Sequence, residues 1–229
     1  MQSAAQRYSI LVSKLISAGA IWFALTVAAT RATAGEEALP KVGDHSLRIL
    51  GPNVLELLFI NTKAPDPARV GTWDWVNSSY QFQAPSPTNF QVLVGGQPVP
   101  LQSVLGFKRR PLYAPLVQRD LRIQNAVYLR VTQAILDTQT VEVRNPAGNL
   151  WASDVKYFTT ADPQRYSPVI HVNQEGYLPT LPKKAEVGYY LGSAGELSIS
   201  SSLGFKVVDA VTGAILEVKD VKAKDCDND

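Results

Sequence analysis

From Gly35 onward the apolar residues of this chain seldom recur at helical spacing. They alternate or cluster in short runs, and Gly, Pro, Asn and Asp cut those runs at close intervals. That pattern selects sheets over helices. Ala126–Val131 (AVYLRV) is the clearest case. In an extended chain Val127, Leu129 and Val131 share one face, while Tyr128 and Arg130 share the other. Ser46–Leu50 and Asn53–Ile60 read as two strands around Gly51-Pro52. Phe90–Val94 is followed by Gly95-Gly96 and then Pro98–Leu101, a hairpin signal because two adjacent glycines tolerate the positive φ of a tight turn. Thr140–Val143 pairs by length with a strand near Trp151–Phe158. Asn145, Pro146 and Gly148 supply turn chemistry between them.

About seven strands over residues 44–162 predict a β-sandwich of immunoglobulin or fibronectin III type. Two stretches stand apart. Arg109–Pro115 with Gln118–Ile123 reads as an irregular crossover. Asn61–Thr88 is the longest connection and carries Pro65, Pro67, Pro85 and Pro87. A connection of that length either does work or hides further strands.

The first 34 residues read as a leader. Arg7 and Lys14 are basic, Leu15–Ala29 is an apolar run of fifteen residues, and Ala32-Thr33-Ala34 offers a cleavage site before Gly35. A spanning helix needs about 20 apolar residues, so cleavage is expected and a membrane anchor is not. Export to a periplasmic or extracellular space is the consequence. Loss of Arg7, Lys14 and Arg31 leaves 19 basic against 20 acidic residues. A near-neutral surface gives no electrostatic case for nucleic acid or an anionic membrane. Cys226 is the only cysteine, so no intrachain disulfide can form.

Thr159–Pro168 (TTADPQRYSP) marks a boundary. Residues 168–229 then offer about four strands: Val169–Gln174, Ala185–Leu191, Phe205–Asp209 and Ala214–Val218, with Thr212-Gly213 as the last turn. A sandwich needs about seven. The expectation is a partial second Ig-like sandwich in which Val187, Tyr189 and Val207 lack a facing layer. The charged stretch KDVKAKDCDND reads as a disordered tail. Alternate acids in Asp225–Asp229 lack the Gly and Glu that a calcium loop requires.

Within this unit, Ile170–Pro179 (IHVNQEGYLP) is followed by KKAEVGYY and FKVVDAVTGAIL. As an ordered set over Val169–Val218, this resembles the N-terminal Ig-like domain that precedes the catalytic module in glycoside hydrolase family nine cellulases. The resemblance implies an interface with a catalytic barrel for Asn173, Gln174, Gly176 and Tyr177, and no catalytic role. It also implies a partner in cis, a catalytic glycoside hydrolase domain expected beyond Asp229. Bottom-up, the Asn173 and Gln174 amides can satisfy a turn, and Gly176 suits a positive φ. His171 reads as a solvated strand residue.

Trp73-Asp74-Trp75 is a separate candidate. An extended backbone would place both indoles on one face, where they could stack on the apolar face of a pyranose with Asp74 beside them. The competing expectation is that these aromatics pin the long connection to the sandwich. A glycosidase needs two carboxylates placed across the scissile bond, and family nine enzymes carry them on a large helical barrel. No such length, hydrolase motif, phosphate loop, cofactor motif or metal-ligand spacing occurs here. Catalytic and metal residues are therefore expected to be absent. Three function classes remain: an accessory segment of a secreted polysaccharide hydrolase, a carbohydrate-binding module using Trp73 and Trp75, and an Ig-like adhesion or scaffolding protein.

Overall fold

The computed structural model describes residues 40–62, 73, 75–79, 81–112, 121–152, 154–173, 176, 178, 180–181, 184–200, 204–209 and 211–220, the last five by backbone alone. The expected leader and charged tail lie outside these residues, as do Asp74, Gln174 and Tyr177.

β1 (His45–Gly51) and β2 (Val54–Thr62) form an antiparallel pair. β3 (Gln91–Val94) turns through Gly95 and Gly96, at φ 58° and 79°, into β4 (Gln97–Val99). Two consecutive positive φ values are what a two-residue hairpin demands, and glycine meets them without steric cost. β5 (Leu101–Pro111), β6 (Arg122–Val131), β7 (Thr140–Arg144) and β8 (Tyr157–Thr160) complete two four-stranded sheets. Their orders are β1-β2-β6-β5 and β4-β3-β7-β8. The chain changes sheet after β2, after β4 and after β6. This is the Greek-key connectivity of an all-β immunoglobulin-like sandwich, with β4 as an eighth strand at the edge of the second sheet.

The region expected to be an irregular crossover is corrected at its flanks. Arg109–Pro111 belongs to β5 and Arg122–Ile123 to β6, in register from Arg109↔Asn125 to Pro111↔Ile123. β5 departs from strict alternation because the register shifts twice, at Leu101/Ser103 and at Val104/Gly106. Each bulge puts an extra residue into one strand and resets which face comes next.

The core between the sheets takes Leu55 and Leu57 of β2, Val127, Leu129 and Val131 of β6, and Val141 and Val143 of β7. Trp73, Trp151 and Tyr157 fill its centre. The opposite face of the first sheet is covered too. Leu50, Val54, Leu58, Ala126 and Tyr128 bury against Val169 and Leu191, with Val187, Tyr189 and Leu197 half-buried above them. A sheet covered on both faces has no solvated side. That explains why β2 reads as a near-continuous apolar run, VLELLFI.

Val187 and Tyr189 therefore do not lack a facing layer; the outer face of the first sandwich supplies it. Val207 remains 42 % exposed. β9 (Ile170–Val172) pairs with β10 (Ala185–Val187), and β11 (Gly204–Val208) pairs with β12 (Ile215–Asp220), as two separate two-stranded sheets. In the last hairpin the Asp209 carboxylate accepts the backbone N–H groups of Val211 and Thr212 and the Thr212 hydroxyl. These bonds hold its pKa below the usual carboxylate range.

The third layer sits close because two glycines face each other. A side chain at Gly106 of β5 would strike Ala194 and the Leu191 carbonyl. One at Gly192 would strike the Phe107 carbonyl. The backbones then exchange polar contacts: Phe107 N–H donates to Ser193 Oγ at 3.0 Å, and Lys108 Nζ donates to the Tyr190 carbonyl at 3.4 Å.

Candidate functional site

A cleft of about 310 Å³ opens between the outer face of the first sheet and Tyr166, Pro168, His171 and Tyr189. Register explains its floor. Arg48, Glu56 and Tyr128 lie directly opposite one another on β1, β2 and β6. The next row toward the cleft holds Leu58, Ala126 and Lys108, and the row after it Ile60, Gln124 and Arg110. The Tyr128 row continues to Gly106, which Ala194 covers. The hollow begins beyond that cover, where the small side chain of Ala126 faces Lys108.

Glu56 is the unusual residue, a carboxylate only 1 % exposed. Burying a charge is costly unless it is paired and hydrogen-bonded. Here Tyr189 Oη donates to Glu56 Oε1 at 2.7 Å and Arg48 reaches Oε2 at 3.4 Å. The Tyr128 hydroxyl is buried beside the same carboxylate, without the geometry of a hydrogen bond to it. Burial first, and the Glu56 charge second, raise the pKa of both Tyr128 and Tyr189. Both phenols therefore stay protonated at any physiological pH.

Removing the Tyr189 hydroxyl leaves the buried carboxylate short of a donor. Tyr189→Phe is expected to destabilise by about 1.5–3 kcal/mol, the usual range for a hydrogen bond to a charged group. Urea denaturation measures this. A loss under about 0.5 kcal/mol would mean that Tyr189 does not hold Glu56 in solution.

The tryptophan pair lies elsewhere. Trp73 and Trp75 do come together, stacked with ring centroids 5.0 Å apart and planes at 23°. They stack on each other and face inward. Trp73 is 2 % exposed, and its indole N–H donates to the Leu150 carbonyl at 2.9 Å. Trp75 is half-buried against Phe107. The expected open platform is corrected on this point: a buried Trp73 has no face to offer a sugar ring. Its backbone is not extended but left-handed, at φ 51°. The pair anchors the long connection, as its alternative reading had it. Arg109 adds to the anchor, donating to the Trp73 carbonyl at 2.9 Å and to buried Asn125 at 3.0 Å. Beyond Trp75, Val76 bridges Phe82 around an Asn77 side chain that accepts from Ser79 and Gln81 N–H.

Of the residues carried by the family resemblance, Asn173 is exposed and Gly176 has φ 89°, with its N–H directed to the Asn173 carbonyl at 3.3 Å. His171, on exposed β9, places Nε2 2.9 Å from the Gly188 carbonyl and lines the cleft. A larger groove of about 370 Å³ runs past Pro87, Phe90, Pro98 and Pro100. Its described lining holds no charged side chain. Among the described residues no group of three or more His, Cys, Asp or Glu is placed to hold a metal ion. Comparison of the chain with protein-family models, curated proteins and solved structures finds no match.

Proposed function

We propose that this chain is an accessory Ig-like segment of an exported polysaccharide hydrolase of the cellulase or endoglucanase kind. Its C-terminal strands pack against a catalytic domain on the same polypeptide and stabilise it. One observation supports this most. Of the fifteen large apolar side chains that stand exposed among the described residues, eleven fall between Tyr166 and Ile215. They include Ile170 and Val172 of β9, Phe205, Val207 and Val208 of β11, and Ile215 of β12, at 38–58 % exposure. Two-stranded sheets are marginal alone, and exposed apolar strands attract a partner. The first sandwich, by contrast, has filled its own core. The IHVNQEGYLP resemblance names the partner class, a family nine catalytic barrel.

The cleft adds support for binding over hydrolysis. Among the described residues that line it, Glu56 is the one carboxylate, and both of its oxygens are engaged. Paired-carboxylate chemistry needs a second acid, and the described lining supplies none.

The test supplies a family nine catalytic barrel as a separate polypeptide. It is expected to raise the thermal midpoint of the chain and to displace an apolar dye from it. A Phe205→Asp, Val207→Asp variant should lose both effects. If neither the midpoint nor dye binding responds to the barrel, the reading is wrong.

A further inference from the structure

We infer that the cleft between the first sheet and Tyr166, Pro168, His171 and Tyr189 binds an acidic saccharide unit, with its carboxylate held by Lys108 and Arg110 and its ring against tyrosine. The choice of a saccharide rests on the polysaccharide reading above; the choice of an anion rests on the cleft alone.

Charge comes first. Among the described residues of the lining three cations, Arg48, Lys108 and Arg110, face one carboxylate, Glu56, which Arg48 and Tyr189 already occupy. The local excess of two positive charges stands out in a chain whose basic and acidic residues nearly balance beyond residue 34. A concave surface lined by one sign of charge concentrates counter-ions.

Geometry comes second. Lys108 and Arg110 are two apart on β5, so they share a face about 7 Å apart along the strand. Both head groups are held. Lys108 Nζ is 3.4 Å from the Tyr190 carbonyl, and Arg110 Nε donates to Gln124 Oε1 at 2.7 Å. That bond uses one of the five N–H donors of a guanidinium, whose fork suits a carboxylate. An ammonium and a guanidinium held in this way lose less entropy on meeting an anion.

The third element is the surface for a ring. Tyr166 lines the cleft at 79 % exposure, whereas the Tyr189 ring already carries Lys108 Nζ 5.3 Å from its centroid. Sugar C–H faces pack on aromatic rings, while Gln124 and His171 bring polar groups for hydroxyls. The volume of about 310 Å³ is at the small end for a ligand pocket and suits one or two sugar rings. At the floor, the buried Tyr128 hydroxyl has no hydrogen-bond partner among the described residues.

Isothermal titration of the chain with a galacturonate oligomer, a cello-oligosaccharide and inorganic phosphate tests the inference. The acidic oligomer is expected to bind, more weakly as salt rises, and the other two at least about tenfold less well. Arg110→Gln, at an exposed position away from the Gly106–Gly192 contact, should weaken the oligomer about tenfold with an unchanged thermal midpoint. Lys108→Gln should do the same to affinity and reports independently. No binding of the oligomer, or binding unaffected by either substitution, overturns the proposal. Equal binding of phosphate overturns the saccharide assignment. None of these outcomes alters the effect of the catalytic barrel on the thermal midpoint, so the two readings fail separately.

Discussion

Replacing Trp73 by Ala is expected to cost about 3–5 kcal/mol, the range for truncating a large buried aromatic. The side chain sits among Phe59, Trp75, Trp151 and Tyr157 at centroid distances of 5.0–6.3 Å. Four aromatic contacts and a buried N–H bond to the Leu150 carbonyl disappear together. The neighbours come from three different parts of the chain and cannot all collapse into the gap. The Leu150 carbonyl also loses its donor. Because Arg109 holds the Trp73 carbonyl and Asn125 at once, the loosened connection should disturb the β5–β6 edge as well. Guanidinium denaturation measures the change. Trp75→Ala, half-buried, should cost clearly less. If the two variants lose equal and small stability, Trp73 is solvent-facing and the sugar-platform reading returns.

The strands that pair around short turns were legible because their chemistry is local. Gly95-Gly96 dictates its own hairpin, and the alternation of Ala126–Val131 sorts Val127, Leu129 and Val131 to the inner face and Tyr128 to the outer one. β5 was not legible as a whole strand. Its two bulges break the period of two, and Pro111 at its end, with Pro115 after it, suggests irregular chain. Trp73 was misjudged as extended because nothing in its sequence demands φ 51°; packing of the indole imposes it. The cleft was illegible for a different reason. Glu56 and Tyr189 meet across 133 residues, and only the docking of one layer on another brings them together. A signal did exist: a single Glu inside VLELLFI, opposite Arg48 on the strand before it, is a charge that a buried strand must justify. The exposure of Val207 on β11 follows from a strand count, but the count misses that the first sandwich covers Val187 and Tyr189 with its own outer face.

Gly192→Val is expected to release that covering layer. Gly192 has φ 64°, which a β-branched residue resists, at a cost of about 1–3 kcal/mol. Its new side chain would also meet the Phe107 carbonyl, which is backbone of β5 and cannot swing aside. Strain and collision act at the one place where the layers touch most closely. Leu191 and Val169 then leave their contacts with Leu58, Ala126 and Tyr128. Gly195→Ala is the control. At φ 75° and ψ −144°, a conformation essentially reserved for glycine, it has open space around it and so isolates backbone strain from collision.

Hydrogen exchange read by mass spectrometry tests the docked third layer most directly. In the unaltered chain the N–H groups of Gly188, Leu191 and Leu197 donate to the carbonyls of Val169, Gly195 and Tyr189 beneath the layer's own contacts. They should exchange slowly, while β11 and β12 exchange fast. In Gly192→Val these three amides should speed up by about tenfold to a hundredfold, with Ala126–Val131 still protected. Fast exchange at Gly188, Leu191 and Leu197 in the unaltered chain, equal to that of β11, would contradict the account: the first sandwich would then stand alone and the cleft would have only one wall.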